Sequence, residues 1–211
     1  RSEVLKASPR MFDNDVLDKL SRVHPAVPVL LFVPAIVILF VLGVGRLGAV
    51  ALAWAAAGYV FWTLLEYWLH RVVFHWEPED GLGARLHWII HGVHHDHPND
   101  PMRLVMPPSV SVPLALLFYG AFLLVLGADA AMAFGGGFLA GYLVYDMTHY
   151  YLHHRVPSSR AGKRLREHHM RHHFQDHTRG FGVSSPVWDR VFGTTPQQGR
   201  REHPATREVT H

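Results

Sequence analysis

A chain of 211 residues has room for one sizeable domain and scarcely for two. It contains no cysteine, which excludes a disulfide framework and thiolate metal ligands, so any transition metal must be held by nitrogen and oxygen. The net charge of +3 is a modest signal that bears on lipid and topology before nucleic acid, and no nucleic-acid partner is expected; the outlier is histidine, with 18 copies.

Residues 1–25 come before the first apolar block. Among them Phe12, Val16, Leu17, Leu20 and Val23 recur at helical spacing with Asp and Lys between them. That pattern fits an interfacial amphipathic helix and, equally, a helix packed on a catalytic cap. Ala26 to Gly45 is nearly all apolar, interrupted by Pro28 and Pro34, and Leu47 to about Leu69 follows after Arg46. Val110 to Leu126 and Ala130 to Met147 form a second close pair around Gly127-Ala128-Asp129. Each block can cross about 30 Å of hydrocarbon as a helix of roughly 20 residues or a little fewer. Each is apolar all round, where a soluble bundle would show polar stripes. The expected fold is therefore all-α and integral to the membrane: four transmembrane helices, the last two short enough to be partly re-entrant, with a helical cap. The expected divisions are an N-terminal interfacial helix over 1–25, a four-span domain with its cap over 26–192, and a polar tail over 193–211. His203 and His211 belong to that tail and need no function.

The links within each pair of spans are tiny, so 1–25, 70–109 and 149–211 must share one side. That side holds 19 of the 20 Lys and Arg, Arg46 lying opposite, and all the histidines. The positive-inside rule makes it cytoplasmic, whether the membrane is a bacterial inner membrane or the endoplasmic reticulum.

Four histidine clusters stand at span exits or between spans: His70 and His75; His91, His94 and His95; His149 and His153; His169, His172 and His173. Residues three and four apart share a helix face, so each HxxHH run can converge, as can His149 with His153. The spacing of five between His70 and His75 suits a straight helix badly, and the helix is expected to end or kink there, ahead of Trp76-Glu77-Pro78. Ten imidazoles can give two metals about five ligands each, with positions left for oxygen. Imidazole suits Zn, Cu, Fe and Ni, so spacing leaves the metal open. His24, His87, His97, His154, His168 and His177 read as structural, surface or supporting groups. Asp146, three residues before His149, and Glu66, four before His70, are candidates to accept a proton from the outer nitrogen of a ligand histidine and fix its ring. The plain alternative for each is a salt bridge to a nearby arginine. Gly135, Gly136, Gly137 and Gly141 either leave a groove in the fourth span or let helices pack closely. Tyr142 and Tyr145 are candidates to contact a substrate.

At these residues the sequence resembles the fatty acid hydroxylase/sterol desaturase superfamily, and within it the fatty acid 2-hydroxylases. The strings that carry the resemblance are Glu66-Tyr-Trp-Leu-His-Arg-Val-Val-Phe-His75, His91-Gly-Val-His-His95, Arg103-Leu-Val-Met-Pro-Pro108, Gly141 through His154, and His169-Met-Arg-His-His-Phe174 onward to Thr194. The resemblance implies a four-span enzyme with a cytosolic cap over a dimetal centre, the ten clustered histidines as ligands, and hydroxylation at carbon 2 of a fatty acid or sphingolipid acyl chain. It implies two iron ions as cofactors and O2 as co-substrate. Zinc fits the same ligands and can be what isolated protein carries, but it is redox-inert and cannot activate oxygen. Many eukaryotic members carry a cytochrome b5 domain, for which 25 residues ahead of the first span are too few. The expectation is a separate electron donor (cytochrome b5-like, a ferredoxin or a reductase), or a domain removed or lost. Rival chemistries on the same scaffold are sterol or carotenoid hydroxylation and acyl desaturation. A zinc-dependent membrane hydrolase would want a carboxylate base beside an open metal position, and no HExxH motif is present. A metal transporter would need ionisable residues at mid-membrane, whereas here the polar groups sit at one end of the spans.

Overall fold

The computed structural model describes residues 2–197, and within them every regular element is a helix. His203, His211 and most of the polar tail lie outside the described residues. Two short helices, α1 (Ser2–Lys6) and α2 (Asp15–Leu20), lead into α3 (Ala26–Leu47) and α4 (Val50–Trp68), and α4 runs on through widened turns over Leu69–Phe74. Next comes α5 (Gly81–His87), which passes through a second widened stretch, Trp88–Gly92, into α6 (Val93–Asp96). The remaining helices are α7 (Pro108–Leu126), α8 (Ala128–His154), α9 (Arg160–Phe174) and α10 (Val187–Val191).

Among the described residues three segments are long and apolar enough to cross a membrane: Ala26–Leu47, Val50–Phe74 and Pro108–Leu126. The expected fourth span, α8, is not among them, because Gly135, Gly136, Gly137 and Gly141 and the acids Asp129 and Asp146 dilute its apolar stretch. It is instead the best-buried helix of the bundle and packs against α3, α4 and α7. Those three turn apolar side chains outward, as at Leu30, Leu52, Leu117 and Leu124.

Close backbone contact makes this arrangement possible. A Cβ on Gly137 would lie 1.9 Å from the Ala55 carbonyl oxygen, and one on Gly58 would lie 2.0 Å from that of Phe134. Helices α4 and α8 thus touch backbone to backbone, the geometry that small residues permit. No groove opens along the glycine row of α8, since Gly135, Gly136, Gly137 and Gly141 are all buried. Above it an aromatic core closes the bundle: Trp62 meets Phe138 and Tyr142 edge-on at 5.1 and 5.2 Å between ring centres, and Phe32 meets Tyr142 at 5.0 Å.

Helix α2 is capped by Asn14, whose side chain accepts from the N–H groups of Val16 and Leu17. Its Val16, Leu17 and Leu20 stay at least half exposed, so the apolar side of this helix is not buried in a cap. The chain around it is tied down by Asp18, which accepts from the Met11 N–H and pairs with Arg22 and Arg103 at 3.2 and 2.7 Å.

Candidate metal centre

The C-terminal ends of α4 and α8 lie at one end of the bundle, where α6 and α9 bring the other histidines to them. The five-residue spacing of His70 and His75 is resolved by local geometry. The helix neither stops nor kinks between them; it widens over Leu69–Phe74, and the His75 N–H donates to the His70 carbonyl at 3.2 Å. A turn closed from i+5 to i is the π form, which brings residues five apart onto one face.

The ten histidines divide into two groups of five: His70, His75, His91, His95 and His172; and His94, His149, His153, His169 and His173. Within each group one nitrogen per residue lies within 4.8 Å of all the others. Several Nε2 pairs are closer: His70–His91 at 3.2 Å, His91–His95 at 3.0 Å and His75–His172 at 3.0 Å in the first group. In the second, His94–His173 stand 3.0 Å apart and His153–His169 2.8 Å, while the buried Nε2 of His149 has no hydrogen-bond partner among the described residues. Imidazole nitrogens about 2.1 Å from a shared metal and at right angles to each other would be about 3 Å apart, so both groups fit an ion.

Neither HxxHH run converges on one point as the spacing alone suggested. His91 and His95 join the first group and His94 the second; His169 and His173 join the second and His172 the first. At about 100° per residue, positions i+3 and i+4 point about 100° apart, so a helix lying between two centres serves both. Burial first, and then neighbouring imidazoles, hold His91, His94, His169 and His173 well below the ordinary imidazole pKa, and burial followed by His75 lowers His172 to about 3. The rings are therefore neutral, the form that binds metal. One consequence is measurable. Histidines whose folded pKa is depressed take up protons in the unfolded chain first, so stability falls as pH drops below about 6.5. Metal-free protein is expected to melt at a lower temperature at pH 5.5 than at pH 7.5, and an unchanged Tm would contradict this burial.

The outer nitrogens reveal groups that the spacing could not. His70 Nδ1 bonds the Phe181 carbonyl at 2.6 Å and His172 Nδ1 bonds that of Arg179 at 2.8 Å, while His75 Nδ1 lies 3.3 Å from Glu77. One loop, residues 179–184, thus orients two rings of the first group. Glu66 does not reach His70 as expected. It accepts from the N–H groups of Val183 and Ser184 at 2.7 and 2.8 Å and from the Ser184 hydroxyl at 2.5 Å, so it anchors that loop. Asp189 anchors it too, accepting from the N–H groups of Phe181 and Gly182 at 2.9 and 2.8 Å, from Thr194 Oγ1 at 2.7 Å and from His168 Nε2 at 3.0 Å. Asp146 likewise hydrogen-bonds no histidine among the described residues; it accepts from the Met106 N–H at 3.3 Å and the Tyr142 hydroxyl at 3.4 Å. Asp189 was missed by the sequence reading. Its only signal there is a lone acid between Val187-Trp188 and Val191-Phe192.

A cavity of about 470 Å³ opens beside the centre. Its polar lining is His91, His94 and His149 with Tyr145, Asp146, Arg103, Ser21 and Ser109, and apolar side chains from α2, the end of α4 and the start of α7 make up much of the rest. Of the two candidate tyrosines, Tyr145 lines it; Tyr142 is buried in the aromatic core. The six other histidines among the described residues belong to neither group.

The fatty acid hydroxylase family model matches residues 55–194, a span that holds all ten clustered histidines. A dihydroceramide fatty acyl 2-hydroxylase of Arabidopsis thaliana is 38% identical over 89% of this chain and 80% of its own length. The ceramide very long chain fatty acid hydroxylase of Saccharomyces cerevisiae is 43% identical over 65% of this chain and 36% of its own length. A solved structure described as full-length scs7p, with only the hydroxylase domain visible, superimposes with a TM-score of 0.81 at 36% identity, over 87% of this chain and 70% of that one. With the match covering most of its length, the chain belongs to the fatty acid hydroxylase family and is a hydroxylating oxidoreductase.

Proposed function

We propose that the chain hydroxylates carbon 2 of a fatty acyl chain, carried by a sphingolipid or as the free acid, with O2 as co-substrate and electrons from a reduced donor. In this reading α8 is a fourth span, shielded from lipid by α3, α4 and α7, and the histidine end faces the cytoplasm, since nearly all Lys and Arg lie there. The observation that carries it is the cavity, which joins both histidine groups to the ends of the membrane segments, with Leu69 and Val73 from α4 and Val110 and Leu114 from α7 in its walls.

The two groups of five would hold two iron ions, the ten histidines acting as ligands. Bound there, iron supplies the reductive activation of O2 that neutral imidazoles and carboxylates cannot provide. The chain does the rest. Apolar walls exclude water and hold the acyl tail, while His91, His94 and His149 mark the end where the reacting carbon must sit. Carbon 2 adjoins the carbonyl, so the head of the lipid belongs at this polar end and the tail runs towards the spans. Loop 179–184 keeps the His70 and His172 rings aimed inward.

The test is direct. Protein purified anaerobically, loaded with ferrous iron and given a reductant, O2 and a ceramide or fatty acid deuterated at C2 should yield the 2-hydroxy product with loss of label. A product that forms without O2, or with zinc alone, overturns the proposal.

A further inference from the structure

The loop between α6 and α7 carries Arg103, whose side chain is only 3% exposed. Its Nη2 pairs with Asp18, yet Nε and Nη1 are buried without a hydrogen-bond partner among the described residues. Buried donors left unmet are costly, so a guanidinium in this state points to an acceptor that arrives later. Arg103 also lines the cavity, as do His91, His94 and His149. Three residues on, the Met106 N–H donates to Asp146, which stands three residues before His149 on α8.

Charge narrows the acceptor. Asp18 pairs with both Arg22 and Arg103, and buried Asp100, also beside Arg103, accepts from the Met102 N–H with one carboxylate oxygen while its other has no hydrogen-bond partner among the described residues. Two arginines therefore stand with two aspartates, and the cluster is already neutral. A further carboxylate would add an uncompensated buried charge, whereas an amide carbonyl brings only a dipole.

We propose that Arg103 binds the carbonyl oxygen of an amide-linked acyl chain and so fixes which carbon is presented to the histidine centre. This rests on the 2-hydroxylase reading: carbon 2 is bonded to the carbonyl carbon, so an anchor on the carbonyl oxygen leaves it little freedom. Arg103 is then a residue of substrate choice and regiochemistry, independent of metal binding.

The experiment compares wild type, Arg103→Lys and Asp18→Asn, all metal-loaded. Arg103→Lys keeps a cation for Asp18 but loses the fork of donors; Asp18→Asn weakens the staple and keeps the fork. Binding of a ceramide is measured without O2, and products from C2- and C3-deuterated ceramide and from the matching free fatty acid are measured with it. Arg103→Lys should weaken ceramide binding about tenfold, the effect of about 1.4 kcal/mol. It should also release product hydroxylated beyond C2, with metal content unchanged. Asp18→Asn should keep a pure C2 product. Unchanged binding and regiochemistry in Arg103→Lys overturn the proposal, as does Asp18→Asn reproducing its defects, which would make Arg103 a staple only. A larger loss with the free acid than with ceramide overturns the choice of an amide. Wild-type product at another carbon overturns the 2-hydroxylase reading itself and is recognised before any variant is compared.

Discussion

Replacing His172 by alanine is expected to lower the metal content of loaded protein from about two ions per chain to about one, and to cut hydroxylation by more than the 10- to 100-fold typical of losing an outer-shell partner. His173→Ala should do the same, although the two residues are neighbours, because they serve different groups. The pairwise variants separate this from general damage. His75→Ala with His172→Ala removes two members of one group and should still leave about one ion. His172→Ala with His173→Ala removes one member from each, and both sites should be compromised. Metal analysis of desalted protein beside turnover decides the matter. If the two double variants lose metal equally, the division into groups of five is wrong.

That division marks where the sequence stops being legible. Ten histidines in four clusters, apolar blocks of spanning length and one charge-loaded side can all be read from residue order, because hydropathy and short-range spacing are local properties. The assignment of His94 apart from His91 and His95 is not local, since it depends on α6 lying between α8 and the end of α4. The π turn at Leu69–Phe74 also escapes a spacing rule built on 3.6 residues, and the five-residue interval then looks like a fault in the helix. Glu66 and Asp146 stand out in the sequence as acids beside the clusters, but their partners are N–H and hydroxyl groups of Val183, Ser184, Met106 and Tyr142, mostly brought in from distant parts of the chain. The three helices with lipid-length apolar runs were legible; the packing of α8 among them was not, since it turns on backbone contacts such as that of Gly137 with Ala55.

The second large effect is expected at Asp189, which hydrogen-bonds none of the clustered histidines among the described residues. Its carboxylate is fully buried. Burial alone would raise its pKa, yet hydrogen bonds from His168, Thr194 and Gly182 hold it below the usual carboxylate value, so it is an anion at neutral pH. Asp189→Ala would leave four donors facing an apolar methyl group: two backbone N–H groups, the Thr194 hydroxyl and the His168 ring. Removing one partner from a buried charged network costs about 3–5 kcal/mol, so Tm should fall by several degrees. The loss should also be directional. Phe181 and Arg179, whose carbonyls orient His70 and His172, lie in the loop that Asp189 holds, whereas among the described residues no histidine of the His149 group hydrogen-bonds to that loop. With His173→Ala disabling the second site, adding Asp189→Ala should take metal from about one ion towards none. With His172→Ala disabling the first, the same change should leave about one ion in place. Asp189→Asn keeps one acceptor oxygen but turns an amide towards the donors, and it should fall between wild type and alanine. Were Asp189→Ala to strip metal equally in both backgrounds, it would be a global fold residue. Were it to strip metal in neither, the loop carbonyls would not be what aims His70 and His172.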